Sequence, residues 1–188
     1  MSAETLYVVL DISGSMREMG KLTTARSLIT FIREYASQKK YAPVFCRVQI
    51  FTWNEHVHAV ELSDFNETPY FWASGKTDMD QLRKWLNHHS LDSSPLNVII
   101  LSDGNYPESS LTTISRWLNQ QSNINISVVS IGSDASVANL NKLSTQKKSF
   151  PPEIFLLPCK PYLAKSILRH CRHYHYMIEP TNESGMEL

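Results

Sequence analysis

Short apolar runs alternate with amphipathic segments along the chain. Thr5 to Leu10 (TLYVVL) is continuous and rich in β-branched residues, as a strand buried on both faces requires. From Lys21 to Lys40, apolar residues fall at Leu22, Ala25, Leu28, Ile29, Ile32, Tyr35 and Ala36, a helical spacing closed by Pro43. Cys46 to Trp53 reads as a second buried strand. Val57 to Leu62 follows it through a tight turn at Asn54-Glu55, so this pair must be antiparallel. Asp78 to His88 places Met79, Leu82, Trp85 and Leu86 on one helical face, and Leu96 to Leu101 (LNVIIL) is the strongest strand signal. A helix from Ser109 to Gln121, a strand from Ile124 to Ile131 and a short helix from Ser136 to Leu143 come next. Glu153 to Leu157 is expected to be a sixth strand, and Pro161 suits the first turn of a helix running to about Tyr174.

Strands that alternate with helices in this way predict an α/β domain. The expected architecture is a doubly wound, mostly parallel six-stranded sheet with one antiparallel edge strand and helices on both faces. Residues 1–178 read as a single domain and 179–188 as a flexible acidic tail. In such sheets ligands bind beyond the carboxyl ends of the strands, near the point where strand order reverses. The chemistry is therefore sought in a few loops.

The first strand runs into Asp11-Ile12-Ser13-Gly14-Ser15-Met16, which offers a carboxylate and two hydroxyls. LNVIIL delivers Ser102-Asp103-Gly104 at the equivalent end, and Ser74-Gly75-Lys76-Thr77 opens a third loop ahead of a helix. The chain has only six glycines, and Gly14, Gly75 and Gly104 are three of them. Two acids with several neutral hydroxyls, and neither histidine nor cysteine, suit a hard divalent cation. Mg²⁺ is the first choice, with Mn²⁺ or Ca²⁺ as alternatives. Ser13, Ser15 and Thr77 would supply neutral oxygens while Asp11 and Asp103 bind directly or through water, leaving a position open to a carboxylate from another molecule.

Asp11-x-Ser13-x-Ser15, Thr77 in a Gly-x-Thr context and Asp103-Gly104 after a hydrophobic strand resemble the metal-ion-dependent adhesion site (MIDAS) of von Willebrand factor type A (vWA) domains. The resemblance covers roughly residues 5–175 and implies a Rossmann-like fold. It also implies that Asp11, Ser13, Ser15, Thr77 and Asp103 bind the metal or orient its waters. Where many members have Gly-Gly-Thr, this chain has Gly75-Lys76-Thr77, so an ammonium near the rim would influence which anions approach. The chain is similar to stand-alone bacterial vWA proteins of tellurite-resistance, stress-response and phage-defence systems. The resemblance therefore implies a cytoplasmic adaptor whose partner presents Asp or Glu, with protein kinases, protein phosphatases or AAA-type ATPases as partner classes.

Competing chemistry finds less support. A phosphate-binding loop ending at Gly75-Lys76-Thr77 would need glycine where the chain has Tyr70. A phosphatase of the aspartyl-phosphate type would need a second acid where Ser13 stands, and Ser15 lacks the flanking glycines of a nucleophile elbow. No general base is evident, so the expectation is a binding protein; a Mg²⁺-dependent hydrolase or phosphotransferase is the alternative. Asp78 reads first as an acid complementing the dipole of its helix, and otherwise as extra charge around the metal. Tyr106, in the loop after Asp103-Gly104, is the aromatic expected to be exposed at the rim with Lys76 and Asp78. Phe71 and Trp72 fit core packing equally well.

Composition narrows the partner. Eighteen basic residues balance eighteen acidic ones, which disfavours nucleic acid, and no apolar run approaches a membrane span. Three cysteines without CxxC spacing and an N-terminus without a signal-peptide pattern fit a reducing cytosol. The balance hides an uneven distribution. Residues 142–172 hold seven Lys or Arg against Glu153 alone, which reads as a solvated basic face or else a docking surface for an acidic partner. His170, His173 and His175 sit near the end of the last expected helix, where imidazolium suits the negative dipole end better than a metal site lacking further ligands.

Overall fold

The structure, a computed structural model, describes residues 4–37, 45–61, 72–91 and 95–145. The strands are β1 (Glu4–Asp11), β2 (Phe45–Trp53), β3 (Val57–Val60), β4 (Leu96–Ser102) and β5 (Ile124–Ser130). The helices are α1 (Lys21–Ser37), α2 (Met79–His89), α3 (Glu108–Leu118) and α4 (Val137–Leu143), with a 3₁₀ turn at Gly14–Arg17. The sheet order is β3-β2-β1-β4-β5; only the β2–β3 pair is antiparallel. Five strands are thus found among the described residues, where six were expected. The sixth expected strand, the last expected helix, the tail, Phe71 and the His170, His173 and His175 cluster all lie outside them, as does most of the basic 142–172 segment. No helix among the described residues is long and apolar enough to cross a membrane.

Strand alternation sorts the core into two layers. Val8 and Leu10 share a face with their parallel partners Ile99 and Leu101, and that face meets Ala25, Leu28, Ile29 and Ile32 of α1. Val9 and Ile100 point the other way, toward Met79, Leu82 and Leu86 of α2, Leu111 and Ile114 of α3, and Leu140 of α4. Helices therefore cover both faces. This explains why every residue of β4 is buried while β3, at the antiparallel edge, is partly exposed. α3 begins one residue earlier than its periodicity implied, directly after Pro107, whose φ of −63° is already set for the turn into the helix.

The order reverses between β1 and β4, the two strands at the centre of the sheet. Their carboxyl ends deliver Asp11 and Asp103. Both site acids therefore stand at the switch point where open α/β sheets place ligands.

Candidate metal centre

The loop after β1 is held by its own backbone. The Ser13 N–H donates to Asp11 Oδ1 at 2.8 Å, Met16 N–H donates to Ser13 O, and the Ser13 and Ser15 hydroxyl oxygens lie 3.2 Å apart. The third loop is bonded to it directly. Gly14 N–H donates to Gly75 O at 3.0 Å and Ser74 N–H to Ile12 O at 2.8 Å, which brings the segment carrying Lys76 and Thr77 alongside Ser13 and Ser15. Thr77 is half-buried and Lys76 exposed.

The β4 side is tied in through Ser102. Its hydroxyl donates to Asp11 Oδ2 at 2.5 Å and accepts from the Tyr106 hydroxyl at 2.5 Å and from Gly104 N–H at 3.0 Å. Asp103 follows, accepting from Asn105 N–H through Oδ1 and from Lys21 Nζ through Oδ2 at 2.9 Å. Gly104 takes φ +74°, and a Cβ there would come within 2.7 Å of Ser136 O, so glycine is required where α4 closes on the loop.

Acids in loops are ordinarily exposed, but both of these are buried. Asp11 is 0% and Asp103 3% exposed; Asp11 ends β1 and Asp103 directly follows β4, the two central strands of the sheet. Burial raises the Asp11 pKa from 3.8 to about 6, against the lowering effect of the hydrogen bonds from Ser102 and Ser13. Tyr106 is a correction. It is buried rather than exposed at the rim, its ring 5.5 Å from that of Trp53 and its hydroxyl spent on Ser102. Burial holds its phenol well above the ordinary range. Among the described residues, an aromatic that is exposed is Trp72, at 73%, two positions ahead of Ser74 in the third loop.

Asp78 caps α2, its carboxylate accepting from Asp80 N–H and Gln81 N–H, in line with its reading as an acid at the positive end of a helix. Asp78→Ala should cost about 1 kcal/mol, read from the urea midpoint.

Three contributors escaped the sequence reading. Ser102 is a hydroxyl at the end of an otherwise largely apolar, fully buried strand. Lys21 is a cation in the first turn of α1, the wrong end for a helix dipole, and that mismatch was the available signal. Asp134, in the loop between β5 and α4, accepts from Lys21 Nζ at 2.7 Å and had no local signal. Burial works to lower the Lys21 pKa, but hydrogen bonds to Asp134 and Asp103 outweigh it and hold the ammonium above its ordinary value. The bond from Lys21 in turn holds Asp134 below the usual carboxylate value.

Among the described residues no group of three or more His, Cys, Asp and Glu converges as a metal cluster. The candidate donors are thus two carboxylates and neutral hydroxyls, a set matched to a hard cation. Asp11 accepts two hydrogen bonds where a carboxylate has about four lone-pair sites, so acceptor capacity remains for an ion.

No protein-family model and no curated protein matches the sequence. Solved structures match the fold. A von Willebrand factor type A protein from Catenulispora acidiphila is similar over 76% of this chain, with TM-score 0.56 and 17% identity. Proximal thread matrix protein 1 of the mussel byssus is similar over 76% of the chain in one crystal form, with TM-score 0.55 and 13% identity. The same protein with a zinc-occupied MIDAS motif is similar over 90%, with TM-score 0.51 and 10% identity. The matches cover only 36%, 41% and 46% of those longer chains. What the comparisons establish is the fold, a mixed α/β architecture like that of von Willebrand factor type A domains.

Proposed function

We propose that the chain is a metal-dependent protein-interaction domain rather than an enzyme. Asp11, Ser13, Ser15, Thr77 and Asp103 would hold a divalent cation, Mg²⁺ by preference. The observation that carries this reading is the convergence of two buried carboxylates and a hydroxyl pair at the sheet's switch point. Asp103 has Lys21 as a counter-ion, but among the described residues Asp11 is held by neutral donors alone, and a buried carboxylate left so is costly unless an ion neutralises it. When bound, the ion supplies a Lewis-acidic position for an incoming carboxylate. The chain's own groups do the rest. Ser102 and the Ser13 N–H fix the Asp11 carboxylate, the Gly14–Gly75 bond holds the Thr77 loop in place, and exposed Lys76 and Trp72 meet the partner's surface.

The zinc-occupied MIDAS motif of the mussel protein, on a similar fold, supports a divalent ion here. By the resemblance of the Asp-x-Ser-x-Ser sequence, the partner is a protein presenting Asp or Glu. The classes it implies are a protein kinase or phosphatase of a stress- or phage-defence system, or an AAA-type ATPase, in the cytoplasm.

The test is metal titration of wild type, Asp11→Ala and Asp103→Ala, followed by capture of partners from the native host with Mg²⁺ or with chelator. Each variant should bind the ion at least about 100-fold more weakly and lose the Mg²⁺-dependent partners. Capture that is equal in chelator, or unchanged in both variants, would refute the metal bridge.

A further inference from the structure

Lys21 is 1% exposed, yet its ammonium lies against one of the two site acids. Nζ donates to Asp103 Oδ2 at 2.9 Å, to Asp134 Oδ2 at 2.7 Å and to the Ser15 carbonyl at 3.3 Å. Those partners belong to the loops after β4, β5 and β1. The position is built. Gly132 adopts φ +96°, and a Cβ there would fall 2.7 Å from both Lys21 Cε and Asp134 Oδ1, so the backbone is shaped around the lysine stem. Stability gives little reason for the arrangement, because a buried ion pair rarely outperforms apolar packing of the same volume.

Charge gives a better one. Asp11 and Asp103 together carry −2 when ionised, which would fully neutralise a divalent ion and leave it little attraction for another carboxylate. Lys21 returns one positive charge to the same buried set. Asp134, half-exposed, is screened by solvent and offsets the ammonium only in part. We propose that Lys21 is a positioning residue that leaves the bound metal under-neutralised, weakening the protein's grip on the ion while strengthening capture of the partner's carboxylate. This rests on the metal reading and names the group that tunes it.

The test uses Mn²⁺ as the ion, followed by the paramagnetic resonance of free Mn²⁺, and acetate as the carboxylate, followed by its effect on water-proton relaxation by the Mn²⁺-loaded protein. Unit charges a few ångströms apart interact strongly even at a protein-like dielectric, so Lys21→Met should tighten Mn²⁺ binding by about tenfold and weaken acetate binding by about tenfold. Asp134→Asn, a change at a half-exposed side chain, should move both the opposite way by about threefold. A merely structural lysine would make both affinities of Lys21→Met fall together. Affinities that move in the same direction, or a pair of variants that both match wild type, overturn the proposal while leaving the metal reading intact. Wild-type protein that takes up no Mn²⁺ overturns both.

Discussion

Metal-free protein is expected to lose stability as the pH rises from about 4 to about 6, and a divalent ion is expected to restore it at neutral pH. The cause is Asp11, whose carboxyl is raised from 3.8 to about 6 by burial in the native state. Between those values the folded chain binds more protons than the unfolded one. The slope of unfolding free energy with pH is therefore negative, and stability falls as the proton is removed. Below about pH 4 the group is protonated in both states, and above about pH 6 it is ionised in both, with the full cost of a buried charge. The difference corresponds to about 3 kcal/mol. Asp80 and Asp134 act in the opposite sense. Their carboxyls are held below 3.8 by Lys84 and Arg83 and by Lys21, so the stability they contribute is lost only as pH falls further. Among the described residues, the shift that spans about 4 to 6 is that of Asp11. Urea denaturation in chelator across this range should show the decline, and Asp11→Asn should flatten it. On the metal reading, Mg²⁺ at a hundred times its Kd adds about 2.7 kcal/mol near pH 7 and little near pH 4.5. A chelated protein equally stable at both ends would remove the buried ionised carboxylate from the account.

The sheet and its loops were legible because their signals are local. Continuous apolar runs marked β1 and β4, the short spacing between β2 and β3 forced their antiparallel pairing, and the oxygen-bearing residues lay in the segments that such strands deliver to one edge. Burial was the harder quantity. Charged residues are mostly exposed, so nothing local announces that Asp11 and Asp103 are buried; central strands covered on both faces carry the residues at their ends into the interior. Tyr106 was misplaced for a related reason. A loop aromatic is read as exposed until its two ends are accounted for, and here the ring goes to Trp53 and the hydroxyl to Ser102. The contacts that organise the site are also the most distant in sequence. Lys21 meets Asp103 across 82 residues and Ser102 meets Asp11 across 91, and neither separation leaves a periodicity to read.

Ser102→Ala is expected to be strongly destabilising, although it removes only one oxygen. A serine hydroxyl has one proton and two lone pairs, and Ser102 uses all three, giving to Asp11 and receiving from Tyr106 and Gly104. Alanine would leave the Tyr106 hydroxyl and the Gly104 N–H without that acceptor and the Asp11 carboxylate one donor short, all in buried surroundings. At about 1–3 kcal/mol for each stranded group, with partial relaxation, the loss should reach about 3–5 kcal/mol. Tyr106→Phe removes a hydroxyl but leaves Ser102 bonded to Asp11 and Gly104, so about 1 kcal/mol is expected. The two changes are coupled. In the double variant no stranded tyrosine hydroxyl remains, and the pair should cost less than the sum of the singles. Losing the Ser102 donor also removes a contact that lowers the Asp11 pKa, so the carboxyl rises further and ion binding near pH 6 weakens. Urea midpoints for the two single variants and the double, with Mn²⁺ titrations near pH 6 and pH 8, measure each part. A Ser102→Ala protein within about 1 kcal/mol of wild type, or costs that simply add, would mean that the oxygen bridging β1 to β4 is not what holds Asp11 in place.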